Sequence, residues 1–311
     1  MIKLIPSDTN FDFIGKWKIA ATISVLLTVF AVYVWISRGE QKFGTDFKGG
    51  YDYLVEVDAT ASASSLRSAL DSGGVVDATV QRFSSSAGFS ADRSQYAIRF
   101  GAVAGVTTSE EIKEKVVTLL KAASPGKFEL LQTNFVGPTI GAELRWNALA
   151  ATILGCICLL IYISFRFEFA FGLGAVIAVF HDVIIATGIY LAFGHTINMG
   201  AVAAALTILG YSVNDTIVIF DRVREELRNP KHKDLDLASL FNLCINQMLS
   251  RTIITTGLTL FSVIALLIFG GGSIADLTFF LLVGMLCGVF STIFVASPIV
   301  LAYEGFRRRK A

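Results

Sequence analysis

The chain has 311 residues, 54% hydrophobic and only 16% charged, where an ordinary soluble domain carries about a quarter charged residues; lipid is therefore the expected solvent for much of it. A net charge of +1 hides a segregation into apolar blocks and one polar stretch, and no basic face interleaved with aromatics is present, which points away from nucleic acid. No P-loop, G-x-S-x-G elbow, H-E-x-x-H or paired C-x-x-C occurs, so neither ATP use through a P-loop nor enzymatic catalysis is expected.

Six segments carry the roughly 20 apolar residues that a spanning helix needs: 17–36, 147–165, 169–193, 197–220, 251–269 and 276–303. Residues 1–16 precede the first. It follows Lys16 and contains Lys18, and no small-x-small cleavage site follows its apolar core, so it is expected to remain as an anchor rather than leave as a signal peptide. Lys and Arg concentrate in the N-terminus, near Arg166, in the loop 221–250 and in the tail 304–311, and are missing from the short connections near residues 194–196 and 270–275. That asymmetry predicts both termini in the cytoplasm and the polar stretch 37–145 outside.

Within 37–145 the pattern predicts strands at Tyr51–Val57, Thr79–Phe83, Gln95–Phe100 and Lys127–Gln132. One helix is expected over Ser64–Leu70, stopped by Gly73-Gly74, and another after a capping-box pattern at Thr108–Glu111, stopped by Pro125-Gly126. The order β-α-β-β-α-β predicts a ferredoxin-like α+β domain between the first two spans. The fold class expected is thus a polytopic α-helical membrane protein with six transmembrane helices and this extracytoplasmic domain.

Ionisable residues inside a span are costly and are functional candidates by default. Span four holds Thr207, Tyr211, Asn214 and Asp215 at i, i+4, i+7 and i+8, on one helical face. Asp215 stands six residues before Asp221, roughly 9 Å inside the charged boundary, and is the candidate titrating group. Span five opens with Arg251 and carries Thr252, Thr255 and Thr256, so a long arginine reaching inward could meet Asp215. His181-Asp182 lie near the middle of span three. The alternatives are plainer: threonine stripes as interhelical hydrogen-bond glue, a static Asp–Arg bridge, a histidine satisfied by packing. Gly284-x-x-x-Gly288 predicts close helix approach. Cys156-x-Cys158, with no partner ligands nearby, reads as buried hydrophobes, and no metal site is expected.

Several of these segments carry a resemblance. Gly44-Thr-Asp-Phe-Lys-Gly-Gly50, Val136–Leu144, His181-Asp182, Gly210–Glu226, Arg251–Thr256 and Phe269–Gly271 are similar to the signature segments of the SecD/SecF family of protein-export membrane proteins, with 210–226 nearest the SecF form. The resemblance implies a place in the resistance–nodulation–division superfamily, the bacterial inner membrane, and half of a twelve-span assembly. It implies SecD as partner, beyond it the SecYEG channel, YajC and the translocating preprotein, and membrane lipid around the helices. It further implies that Asp215 and Arg251 match the family's proton path, coupled to protons or alternatively sodium, with no cofactor. Gly44, Asp46, Phe47, Gly49 and Gly50 are expected to form a turn ordering the outer domain at the membrane. A half-size small-molecule or lipid exporter of that superfamily, or a scaffold that transduces nothing, remain as alternatives.

Overall fold

The computed structural model describes residues 9–83, 93–106, 108–124, 126–166, 169–232, 234–270 and 272–310. Six helical spans among them are long and apolar enough to cross a membrane, and the chain is a multi-pass membrane protein. The first is α1 (Trp17–Ser37). A one-turn helix α2 (Thr45–Lys48) leads into the sheet-bearing domain, expected from the sequence to lie outside and called the outer domain for that reason, which runs β1 (Gly50–Asp58), α3 (Ala63–Ser72), β2 (Val75–Val76), β3 (Thr79–Phe83), β4 (Arg93–Phe100), β5 (Ala102–Val103), α4 (Ser109–Ala123) and β6 (Phe128–Val136). The membrane body continues with α5 (Pro138–Arg166), α6 (Phe169–Ala192), α7 (Met199–Leu227), α8 (Leu237–Phe269) and α9 (Gly272–Ser291). A π-helical turn, Thr292–Ala296, joins α9 to α10 (Ser297–Lys310).

The four long strands form one antiparallel sheet in the order β3-β4-β1-β6, and β2 pairs with β5 in a small second sheet that the sequence pattern did not predict. Leu66 and Leu70 of α3 and Val116 and Leu120 of α4 are fully buried with Tyr53, Val55 and Ile98 of the sheet. Each such side chain contributes roughly 1.5–3 kcal/mol, so the heptad-like spacing of the two helices holds them on the sheet. A capping box does form, but at Ser62 and Ser65 of α3. Thr108 makes no side-chain cap bond on α4. The Ser/Gly-rich connection at 84–92 and Pro125 lie outside the described residues.

Several boundaries move. The helix of the second span starts at Pro138, not 147. Proline is well suited to the first helical position, where its missing N–H costs nothing, and the polar turns after it stay helical. The loop expected at 221–250 is largely helix: α7 runs to Leu227 and α8 begins at Leu237, where Asp236 accepts from Ser239 N at 3.4 Å. Leu237, Leu240, Phe241, Cys244 and Ile245 repeat at helical spacing and pack inward, which carries α8 well beyond its apolar stretch. The sixth span is not one regular helix. Pro298 cannot donate to the preceding turn; the backbone widens just before it, and Ser297 Oγ donates to Thr292 O at 3.0 Å.

Close approaches set how the body packs. A Cβ at Gly284 would collide with Ile208, and one at Gly288 would stand 3.2 Å from Ser212, so this glycine pair lets α9 lie against α7.

Candidate functional site

Asp215 sits about 24 Å along α7 from its start and about 18 Å from its end, at 1.5 Å per residue, and is 5% exposed. Thr256 Oγ1 of α8 donates to its Oδ2 at 3.3 Å. Arg251 does not pair with it: no ion pair within 4.0 Å joins them among the described residues, and Arg251 is exposed. The reason is angular. Arg251 precedes Thr256 by five residues, about 140° around an α-helix, so the two side chains leave α8 in different directions, and the guanidinium stays within electrostatic reach of Asp215 without contacting it.

The same geometry splits both polar stripes. Thr252 and Thr256, one turn apart, are buried toward the bundle, whereas Thr255 is exposed and donates to Arg251 O at 3.0 Å. On α7, Thr207 and Asn214 are exposed, and Thr207 donates to Ala203 O at 2.8 Å. Tyr211 has a buried hydroxyl with no hydrogen-bond partner among the described residues. Thr207, Asn214, Arg251 and Thr255 are therefore the exposed members of the two stripes, and Asn214 directly precedes Asp215.

A second polar centre is more enclosed. Asp182 is 0% exposed, and its Oδ2 accepts from Ser212 of α7 at 2.6 Å and from Ser291 of α9 at 2.7 Å. Its Oδ1 faces His181 Nδ1 at 3.1 Å, while His181 Nε2 is bonded to Ser24 of α1. Beside it, Thr216 Oγ1 and Thr292 Oγ1 meet at 2.9 Å, tying the residue after Asp215 to the π turn. The sequence pattern pointed to His181 and Asp182 but missed Ser24, Ser212 and Ser291; the only signal was a serine inside an otherwise apolar helix, which small-residue packing also explains.

The signature turn lies where the outer domain meets the membrane body. Asp46 Oδ2 accepts from Met199 N at 2.8 Å, and Asn198 Oδ1 accepts from Ala201 N at 2.7 Å, so two otherwise unpaired N–H groups at the start of α7 are satisfied, with a negative charge at the positive end of the helix. Gly44 N donates to Ile197 O at 2.8 Å. Gly49 and Gly50 have φ of +80° and +130°, and a Cβ there would lie 2.8 Å from Pro138 Cα and 2.5 Å from Phe100 O, so no side chain fits. Phe47 is buried beside Phe43.

An ionic junction, unanticipated from sequence, stands next to this turn. Arg99 of β4 reaches Asp52 of β1 at 3.3 Å and Asp276 of α9 at 3.2 Å. Asp276 Oδ1 also lies 2.8 Å from Nδ1 of His195, whose ring stacks on Tyr190 with centroids 4.6 Å apart. Burial pushes the Asp52 carboxyl above its ordinary range, opposed by the Arg99 charge. No group of three or more metal-ligating side chains occurs among the described residues.

The family described as protein export membrane protein SecD/SecF, C-terminal, matches residues 115–305. Protein translocase subunit SecF of Rickettsia felis is 36% identical over 313 residues, covering 99% of this chain and 97% of its own length. The subunit of that name from Calditerrivibrio nitroreducens is 35% identical over 308 residues and 99% of each. Among solved structures, SecDF from Thermus thermophilus, a translocon-associated membrane protein, superposes with a TM-score of 0.84 at 32% identity over 97% of this chain. A second SecDF structure, in a super-membrane-facing form, gives 0.69 at 33% identity over 100% of it. In both the chain spans 40% of the SecDF length. With the glycine-bearing turn at the membrane, the acid inside α7 and near full-length likeness to these subunits, the chain belongs to the SecD/SecF family of protein-export membrane proteins.

Proposed function

We propose that the chain is the SecF half of a SecD–SecF assembly that uses an ion gradient to drive or complete polypeptide translocation through the Sec channel on the outer side of the inner membrane. Both termini are then cytoplasmic, as the distribution of Lys and Arg favours. The outer domain is ferredoxin-like in this reading, supported by its antiparallel β3-β4-β1-β6 order and two helices on one face.

The observation that carries the proposal is the half-open site at Asp215. A carboxyl 5% exposed lies beside a guanidinium, a carboxamide and hydroxyls that face outward at membrane depth. Polar groups at that depth are expensive against lipid, which favours a second set of helices over this face; SecDF proteins, more than twice as long, carry such additional chain. SecD is the proposed occupant, with SecYEG, YajC and the preprotein as further partners of the assembly. Asp215 takes up and releases the coupling ion, a proton with sodium as the alternative, and needs no cofactor. In the charged form it pairs with Arg251; protonated, it keeps only Thr256. The absence of an Asp215–Arg251 ion pair fits the protonated half of that cycle. One charge gains about 2.3 kcal/mol per 100 mV, so a gradient on the order of 180 mV supplies about 4 kcal/mol, close to the about 5.5 kcal/mol that reverses a 1:99 equilibrium.

Export into inverted membrane vesicles, driven by imposed proton or sodium gradients, tests this. Asp215→Asn should leave assembly intact and remove the gradient-dependent part of export. Full gradient-dependent export by that variant would overturn the proposal and favour a scaffold.

A further inference from the structure

The His181–Asp182 pair stands at the centre of the membrane body. Asp182 lies about 20 Å from the start of α6 and about 15 Å from its end, by helical rise. A bare carboxylate so placed, 0% exposed, is disfavoured unless paired. Two serine hydroxyls, from α7 and α9, occupy Oδ2, and the imidazole occupies Oδ1. The contact between Oδ1 and Nδ1 needs one hydrogen between the two atoms. With Nδ1 protonated and Nε2 bare, the pair carries a net negative charge. One further proton, on Nε2 with Ser24 Oγ accepting it, makes the pair neutral as carboxylate and imidazolium. Ser24 of α1 is in place to accept it, and Phe290 stacks on the ring.

We propose that His181 and Asp182 together form a proton-binding site in the interior of the helix bundle, separate from Asp215, which takes up one proton between them, with Ser24 of α1 bonded to the outer ring nitrogen. The titratable groups on the helices packed around it are Cys287 of α9, within electrostatic reach of Asp182, and Asp215 of α7, whose carboxyl turns instead to Thr256 of α8. α1 offers the hydroxyl of Ser24 at this level, and the π turn offers Thr292. The site does not depend on Asp215 moving protons, and either proposal survives failure of the other.

The chain has three histidines, so nitrogen-15 NMR of histidine-labelled full-length protein in lipid bilayers is assignable by single substitutions. Across about pH 5 to about pH 9, the span in which imidazoles titrate, the His181 nitrogens should pass from imidazolium to neutral ring. Asp215→Asn should leave that transition in place, and Asp182→Asn should displace it by about one pH unit or more. If Asp182→Asn does not fold, Ser291→Ala, which removes one donor from the same carboxylate, should displace the transition instead. A His181 ring that stays in one neutral form throughout, or titrates unchanged in the Asp182 and Ser291 variants, overturns the site.

Discussion

Asp182 and Asp215 stand on neighbouring helices at similar depth, yet their surroundings differ in kind. Asp182 is enclosed by α1, α6, α7 and α9 and has partners on both oxygens, two of them at 2.6 and 2.7 Å. Asp215 has one bond of 3.3 Å, to Thr256, and lies at the rim of an open polar face. A carboxyl held by several short bonds has a single geometry, because losing any donor leaves a buried acceptor short of partners. One held by a single long bond can exchange partners at little cost. The enclosed acid therefore organises the bundle, and the acid at the rim is the one free to change partner.

The contrast breaks if stability does not follow it. Asp182→Ala should cost about 3–5 kcal/mol, since it strands His181 and two hydroxyls in the interior, whereas Asp215→Ala should cost about 1 kcal/mol or less; unfolding in mixed micelles measures both, and the reverse ranking would refute the assignment. Ser212→Ala and Ser291→Ala should each cost about 1–2 kcal/mol, and because both donate to the same oxygen the double variant should depart from additivity. Thr256→Val, losing one long bond, should cost about 0.6 kcal/mol, near the average for such bonds between membrane helices. Arg251→Gln should change stability by no more than about 0.5 kcal/mol while removing gradient-driven export.

Outside the membrane, Glu56 gives an aqueous comparison for these acids. The hydrogen bond from Arg93 holds its carboxyl below the ordinary range, against the effect of burial. A depressed folded value contributes stability above the unfolded carboxylate value of about 4.3, lost as pH falls through the folded value. Arg93 is one-third exposed, so solvent screening keeps the effect small. Glu56→Gln should flatten the acid limb of a thermal-melting profile; an unchanged limb would show that the pair carries none of it.

Local patterns determined much of the molecule. Apolar runs located six spans, alternation located the four long strands, and Asp215, His181 and Asp182 stood out because an ionisable group inside an apolar run is rare. The ends of α5, α7 and α8 escaped, because polar residues continue a helix past the lipid when caps and a packed face support them, as Asp236 and Leu240 do. The two-stranded β2–β5 sheet escaped because two-residue strands carry no period.

What the order of residues alone could not decide was azimuth. Spacing placed Thr207, Tyr211, Asn214 and Asp215 on one face, but only packing against α8 and α9 determined that Asp215 points inward while Asn214 points out. The same packing left Arg251 out of contact with the acid and brought Ser24, Ser212 and Ser291 around His181 and Asp182 from three different helices. Helical periodicity is a property of one segment, whereas the direction each face takes depends on glycine contacts such as those of Gly284 and Gly288 and on the widened turn at 292–296, which only the assembled bundle defines.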